Sequence, residues 1–281
     1  MKILLIGNRG MLGQDIQIVL GLVHEIVGLD IGEIDIRDIG ACEEIIHSET
    51  PEMVINAAAY TNVEEAESNR EKACAINAEG IRNLAHVCSR TNIPIVHFST
   101  DYVFDGAHST PYAEDDCPHP LNVYGESKLQ GERYLLESGA DYLLVRTAWL
   151  YGKGGKNFVT TILKKAREAK ELKVVNDQRG SPTYTIDLAS ALTLLIERGI
   201  RGTLHIANRG NCTWFEFARK ILLYGGIDDA IVVPVSTDAY PQKALRPAYS
   251  ALSSHRFTTL TGKTIRFWQI ALKDFIERLP R

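Results

Sequence analysis

Tyr124 and Lys128 stand four residues apart in the stretch Val123-Tyr124-Gly125-Glu126-Ser127-Lys128, where the pattern predicts the start of a helix. Positions i and i+4 share a helix face. An ammonium about 4 Å from a phenol oxygen, at an effective dielectric of about 20, favours the phenolate by about 4 kcal/mol, or about three pKa units. A phenol tuned in that way gives a proton to a carbonyl oxygen and takes it back, which suits reduction of a ketone. A chain with 11 tyrosines meets Lys at i+4 about half the time by chance. The pair therefore needs a setting.

The start of the chain supplies one. A short apolar strand, Lys2 to Ile6, runs into Gly7-Asn8-Arg9-Gly10-Met11-Leu12-Gly13 and then into a helical pattern through Leu20. Glycines at i, i+3 and i+6 between strand and helix allow a tight turn, close approach of a pyrophosphate to the first helical amides, and close packing of helix on strand. The next strand, Glu25 to Leu29, ends at Asp30, where an acid accepts from the 2′-OH of an adenosine ribose. Asp30 alone selects NADH, whereas the Arg9 guanidinium reaches the same ribose and pairs with a 2′-phosphate. Both NADPH and NADH are expected to work, with NADPH slightly preferred.

Strands and helices then alternate. Asp38 caps a helix to about Glu49, and the strand Met53 to Asn56 opens into Ala57-Ala58-Ala59-Tyr60-Thr61, whose small side chains let a ligand lie against backbone. A helix is predicted over Arg70 to Arg90 with Asn77 facing inward, followed by a strand from Pro94 that ends at Ser99-Thr100-Asp101. Open parallel sheets bind ligands at these carboxyl ends. Residues Tyr102 to Asn122, with Pro111, Pro118, Pro120 and the acidic run Glu114-Asp115-Asp116, read as a loop over the site, the acids forming a solvated face. A strand, Tyr142 to Arg146, and a basic helix, Asn157 to Lys170, follow. Beyond them strands at Glu171–Val175 and Gly202–Ile206 and helices at Thr185–Arg198, Thr213–Tyr224 and Trp268–Arg278 suggest a second lobe, with the pocket between. The predicted class is α/β: a Rossmann-type doubly wound parallel sheet with a smaller C-terminal α/β substrate lobe. Residues 1–150, with roughly 181–206, would form the NAD(P)-binding domain, and 151–180 with 207–281 the substrate lobe.

Bulk properties narrow the partners. With 281 residues, 45% hydrophobic and 23% charged, the chain has the composition of a soluble globule. A formal net charge of -4 gives no general footprint for nucleic acid or an anionic membrane. The five cysteines, Cys42, Cys74, Cys88, Cys117 and Cys212, form no C-x-x-C, so reduced thiols in the cytoplasm are expected rather than a disulfide framework or a zinc site. The apolar run before Gly7 is too short for a signal peptide, and no stretch is long enough to span a bilayer. A monomer or homodimer acting on a small molecule is expected.

Together the motifs carry a resemblance. Gly7-x-x-Gly10-x-x-Gly13, Asn56-Ala57-Ala58-Ala59, Ser99-Thr100-Asp101-Tyr102-Val103-Phe104, Tyr124-x-x-x-Lys128 and Arg146-Thr147-Ala148-Trp149-Leu150-Tyr151-Gly152 resemble the extended short-chain dehydrogenase/reductases. Within them the chain is most similar to the dTDP-4-dehydrorhamnose reductase family, over nearly its whole length, including Gly180-Ser181-Pro182-Thr183 and Leu245-Arg246-Pro247. Sugar-nucleotide dehydratases of the superfamily carry Thr-Asp-Glu where this chain has Tyr102 in third place, so dehydration is disfavoured. The resemblance implies hydride reduction of a sugar nucleotide at C4, dTDP-4-dehydro-L-rhamnose to dTDP-L-rhamnose. Thr100 would orient the carbonyl, Tyr124 donate the proton, and Lys128 lower the phenol pKa and hold the nicotinamide ribose. Gly10, Met11, Leu12, Asp30, Asp35, Ile36, Ala59, Tyr60 and Thr61 would line the cofactor, together with Gly7, Arg9, Gly13, Ala57, Ala58 and Asn77. Thr100, Asp101, Tyr102 and Trp149 would meet the sugar and Arg246 the diphosphate. Some members are described as magnesium-linked dimers; Asp15 and Asp187 suit such a site, but Ile186 stands where another acid is expected, so Mg2+ is doubtful and no metal ligand is assigned. Two other readings share the motifs: a cofactor-binding regulatory subunit, similar to that of methionine adenosyltransferase, and a nucleotide-sugar epimerase.

Overall fold

The structure, a computed structural model, describes residues 1–240 and 242–279. Strand β1 (Lys2–Ile6) is apolar and wholly buried over its last four residues, as befits a strand covered on both faces. From it the chain alternates through α1 (Met11–Leu20), β2 (Glu25–Leu29), α2 (Ile39–Glu49), β3 (Met53–Asn56), α3 (Val63–Ala66), α4 (Arg70–Cys74), α5 (Gly80–Thr91), β4 (Ile95–Thr100), α6 (Val123–Glu137) and β5 (Tyr142–Thr147). There follow β6 (Leu150–Tyr151), α7 (Phe158–Glu168), β7 (Glu171–Val175), β8 (Arg179–Gly180), β9 (Thr183–Tyr184), α8 (Thr185–Glu197) and β10 (Gly202–His205). The chain closes with β11 (Cys212–Thr213), α9 (Trp214–Gly225), β12 (Ile231–Val235), α10 (His255–Thr261) and α11 (Trp268–Glu277).

The large sheet is parallel, in the order β10-β5-β4-β3-β1-β2. Strand order reverses between β1 and β3, which opens a crevice at the carboxyl ends of these strands. The register Ile6↔Asn56 and Thr100↔Thr147 brings Gly7, Ala57, Asp101 and Ala148 to that one edge. Alternation along β1 sends Ile3 and Leu5 to a core with Ile16, Leu188 and Leu192, and Leu4 and Ile6 to a second core with Ile46, Leu84 and Leu135. This is the Rossmann-type α/β sheet expected of the sequence. Beside it α7, α9 and α11 surround the parallel pair β7–β12 with Tyr151, Phe217, Ile221, Trp268 and Phe275 as their core.

Three local expectations change. The helix predicted over Arg70 to Arg90 is interrupted by a π-helical turn, Ala75–Glu79, centred on Asn77. The turn swings the Asn77 amide inward, where it bonds the Tyr60 backbone and Ser127 Oγ. Within the acidic run, Glu114 is buried rather than solvated, because the His205 amide needs an acceptor and Glu114 Oε1 takes it at 3.0 Å. The loop after Tyr102 is pinned as well: Tyr112 is 1% exposed, stacks on Phe104 at 4.2 Å and pairs its backbone with Ala251 and Ser253. Beneath it Arg146 makes a two-pronged pair with Glu132 at 2.7 and 3.0 Å, both buried. Removing one partner of such a pair costs about 3–5 kcal/mol.

Candidate active site

Helix α6 begins where Asn122 Oδ1 accepts from Gly125 N at 2.8 Å while its Nδ2 donates to Leu245 O at 2.7 Å. One side chain thus caps the helix and ties it to the late segment at Leu245. Gly125 is needed there, since a Cβ would strike the Tyr102 carbonyl. The cap sets Tyr124 in the first turn, edge-on to Tyr102 with ring centroids 5.7 Å apart. Lys128, one turn on, is 2% exposed and donates from Nζ to Phe98 O at 2.6 Å, with His97 Nε2 at 3.2 Å.

Thr100 closes this corner from the end of β4. Its hydroxyl donates to Asp101 Oδ1 at 3.1 Å and accepts from Tyr102 N at 3.2 Å, and it also faces the Tyr124 phenol. Asp101 is buried and accepts at Oδ2 from Ser250 Oγ, far along the chain, at 2.5 Å. Burial raises its pKa to about 6, against the pull of Ser250 and Thr100. Desolvation pushes the Tyr124 phenol up as well, although its ring is only half-buried; the Thr100 hydroxyl opposes the rise. That reverses the expected tuning. The Lys128 head is turned to the Phe98 carbonyl, and burial brings its own pKa down to about 8 against the pull of Glu132.

The glycine loop lies at the other end of the crevice. Gly7 has a φ of 85°, and a Cβ there would lie 2.6 Å from Ala58 N; one at Gly13 would strike the Gly7 carbonyl. Gly10 starts α1 with no side chain capping it, so the amides of Met11 and Leu12 meet the crevice at a positive helix end. Ala57, Ala58 and Ala59 are half-buried beside it and Thr61 is exposed. This cradle fits the pyrophosphate of a dinucleotide. Asp30 accepts from Arg9 N at 2.8 Å, and Arg9 Nη2 pairs with Glu33 at 3.0 Å.

Four of the residues expected at the cofactor have protein partners of their own. Asn77 is buried with its amide engaged by Tyr60 and Ser127, so it shapes the Tyr60 segment from behind. The Ile36 side chain packs into the core near Gly80, and Asp35 pairs with Arg37 at 2.6 Å on the surface. Tyr60 is buried, with the Lys72 ammonium 5.5 Å from its ring centre.

A cavity of ≈ 720 Å³ is lined mainly by α7, β7 and the segments around Trp214 and Tyr240, with Phe158, Lys165 and Arg246 in its wall, and only Tyr102 reaches it from residues 1–150. Arg246 reaches it while pairing with Glu64 at 2.7 Å. Trp149 stacks flat on Trp214 at 3.4 Å and holds a φ of 47°, a conformation that costs a side chain about 1 kcal/mol or more. Ser250, Glu33, Glu64 and Trp214 were not singled out by the sequence; Lys165 sits in the helix marked only as basic. Among the described residues no group of three or more His, Cys, Asp or Glu is disposed to hold a metal. Asp15 bonds the Thr185 hydroxyl, and Asp187 is engaged by Asn208 and Arg266 at 2.6 and 2.8 Å.

Residues 1–281 match the family described as RmlD substrate binding domain. The chain is 40% identical to the spore coat polysaccharide biosynthesis protein SpsK of Bacillus subtilis, over 98% of this chain and 97% of that one. It is 37% identical to a dTDP-4-keto-6-deoxy-D-glucose reductase of Streptomyces niveus, over 96% and 94%. The crystal structure of dTDP-4-dehydrorhamnose reductase from Bacillus anthracis in complex with NADP superposes with a TM-score of 0.96 at 38% identity, covering 99% of both chains. On this match the chain belongs to the dTDP-4-dehydrorhamnose reductase (RmlD) family of the extended short-chain dehydrogenase/reductases.

Proposed function

We propose that the chain is an NAD(P)H-dependent reductase that converts the C4 ketone of dTDP-4-dehydro-L-rhamnose to the alcohol of dTDP-L-rhamnose, in the supply of sugar nucleotides for polysaccharide. The observation that carries this is the meeting of Thr100, Tyr124 and Lys128 at the closed end of a crevice whose other end is a dinucleotide cradle. A bound nicotinamide supplies the hydride. Thr100 orients the carbonyl oxygen, and Tyr124 donates its hydroxyl proton to that oxygen as it gains negative charge. Burial suits this role, since a phenol with a raised pKa stays protonated until the carbonyl draws on it. Lys128, whose Nζ rests on the Phe98 carbonyl, would turn from it to hold the nicotinamide ribose and, as ammonium, stabilise the phenolate left behind. Asp101 and Tyr102 flank the sugar, with Trp149 braced by Trp214. The diphosphate and base take the cavity beside Tyr102, where Arg246 and Lys165 supply positive charge.

Residues 1–150 with roughly 181–206 then bind the dinucleotide, and 151–180 with 207–281 close over the sugar nucleotide. No helix among the described residues is long and apolar enough to cross a membrane, and a cytoplasmic monomer or homodimer is the setting we propose. The test is nicotinamide absorbance with dTDP-4-dehydro-L-rhamnose and with dTDP-4-keto-6-deoxy-D-glucose side by side. The similarity to the Streptomyces niveus enzyme favours the second substrate as the competing reading. Net oxidation with the first, at a kcat/KM at least tenfold above the second, supports the assignment. Interconversion of sugars without net oxidation would instead mark an epimerase.

A further inference from the structure

Beneath Lys128 lies a polar chain that the reaction as drawn does not use. Asn56, His97 and Lys128 are each 2% exposed or less, on β3, β4 and α6. Ala58 N donates to Asn56 Oδ1 at 3.1 Å, which fixes the amide with Nδ2 toward His97 Nδ1, 3.3 Å away. An amide nitrogen only donates, so toward this amide Nδ1 accepts, against the Asn56 backbone carbonyl, which favours a ring N–H. Burial first, and then Lys128, hold the imidazole pKa well below its usual value, so the ring is neutral and carries its single proton on Nε2. That proton points at Lys128 Nζ, 3.2 Å away. An ammonium has no lone pair to receive it, whereas an amine accepts it and still donates to Phe98 O.

We propose that Asn56 and His97 are positioning residues that act through Lys128: by fixing the Nε2–H tautomer they favour its amine over its ammonium. Protonating Lys128 requires His97 to move its proton to Nδ1 and Asn56 to turn its amide, which releases the Ala58 N–H beside the glycine loop. The charge on Lys128 is thereby coupled to the backbone of the cofactor cradle.

Other charged groups around Lys128 do not supply the same effect. Glu132, one turn along α6, favours the ammonium but is held by Arg146 of β5. On the helices packed against α6, Arg70 pairs with Glu126 and Arg82 with Glu79. Asp101 after β4 is bonded by Thr100 and Ser250, and Tyr124 faces Thr100.

The kinetic part of the test rests on the reductase reading; the spectroscopic part does not, so the two can fail separately. In the ligand-free protein, 15N NMR of the His97 ring at pH 9.5, where Lys128 is the amine, should show the Nε2–H tautomer, and Asn56→Asp, whose carboxylate accepts from Nδ1–H, should show the other. In kinetics, Asn56→Asp and His97→Gln each give the ammonium an acceptor. The alkaline limb of kcat/KM should then rise by about one pH unit or more, with kcat near the optimum retained within about tenfold. A residue that only fills space would lower Tm and leave the limb where it is. An Nδ1–H tautomer in the wild-type protein at pH 9.5 overturns the proposal even if neither variant folds, and so does a limb unmoved in an active His97→Gln.

Discussion

The two ends of the crevice solve the same problem, placing charge beside a ligand, by opposite means. At the Tyr124 end the groups beside the phenol are enclosed: Thr100, Asp101 and Lys128 are buried, each of these three side chains meets a named partner, and desolvation is the largest influence on Tyr124, Lys128 and Asp101. At the Arg9 end the charges stand in water, with the side chains of Arg9 and Glu33 64% and 40% exposed. Enclosed groups trade large energies over one proton, while exposed ones act through Coulomb terms that salt screens within about 8–10 Å. Substitutions at the first end should therefore change chemistry or stability strongly, and those at the second should change preference mildly.

The largest effect is expected from Tyr124→Phe. The ring keeps its edge-on contact with Tyr102, but no hydroxyl remains to protonate the carbonyl. Turnover should fall about 10²-fold or more with cofactor affinity nearly unchanged. Turnover within threefold of wild type would remove Tyr124 as proton donor and with it the contrast between the ends.

Next comes Trp149→Ala, which takes away the partner of Trp214 and frees a backbone held at a φ of 47°. KM for the sugar nucleotide should rise about tenfold, and KM for the nicotinamide should stay within about twofold. If both constants hold and only Tm falls, the stacked pair is a packing element of the second lobe.

Much of this crevice was legible in the sequence, and the limits follow from physics. Glycine spacing, strand ends and the Tyr124–Lys128 pair are local patterns, and the sheet they imply is the one found. Ser250 was invisible because a serine far along the chain carries no periodic signal; only the fold brings it to 2.5 Å from Asp101. The Tyr124 phenol is pushed up rather than down, which sequence hides because it gives spacing and not solvation: burial is the largest influence, and the Lys128 head is turned to the Phe98 carbonyl. Asn77 was correctly turned inward, but a π-helical turn, which no residue pattern announces, decides what it bonds.

Asp101 offers a measure of enclosure in stability. A carboxyl whose folded pKa is raised holds its proton more tightly when folded, so ionisation costs stability as pH climbs through the folded value. Here the window runs from about 4, the usual carboxyl value, to about 6. Between pH 5 and pH 7 the wild-type protein should lose about 1 kcal/mol from this group alone, a loss that Asp101→Asn should not share. Urea unfolding of both proteins at the two pH values gives the difference. Parallel pH dependence in the two would mean that Asp101 is hydrated, and the enclosed end less enclosed than drawn.

The smallest effect belongs to the open end and concerns cofactor choice. Asp30 suits a ribose 2′-OH and repels a 2′-phosphate, and Arg9 opposes it, but Arg9 is not free: Glu33 holds its guanidinium at 3.0 Å and also accepts from Asp30 N at 2.9 Å. A 2′-phosphate must draw Arg9 away from Glu33, and an exposed pair of this kind yields for about 1 kcal/mol or less. Wild-type preference between NADPH and NADH should therefore stay within tenfold, with NADPH ahead. Glu33→Gln should raise kcat/KM for NADPH about threefold and leave NADH alone, because it frees the cation without touching Asp30. Arg9→Ala should lower NADPH by a similar factor, and Asp30→Ala should lower NADH. All three differences should shrink between low salt and about 0.5 M salt, where the screening length approaches the length of the ion pair itself. A wild-type preference above about a hundredfold, or one that high salt leaves intact, would place the discriminating contact in an enclosed site rather than at this rim.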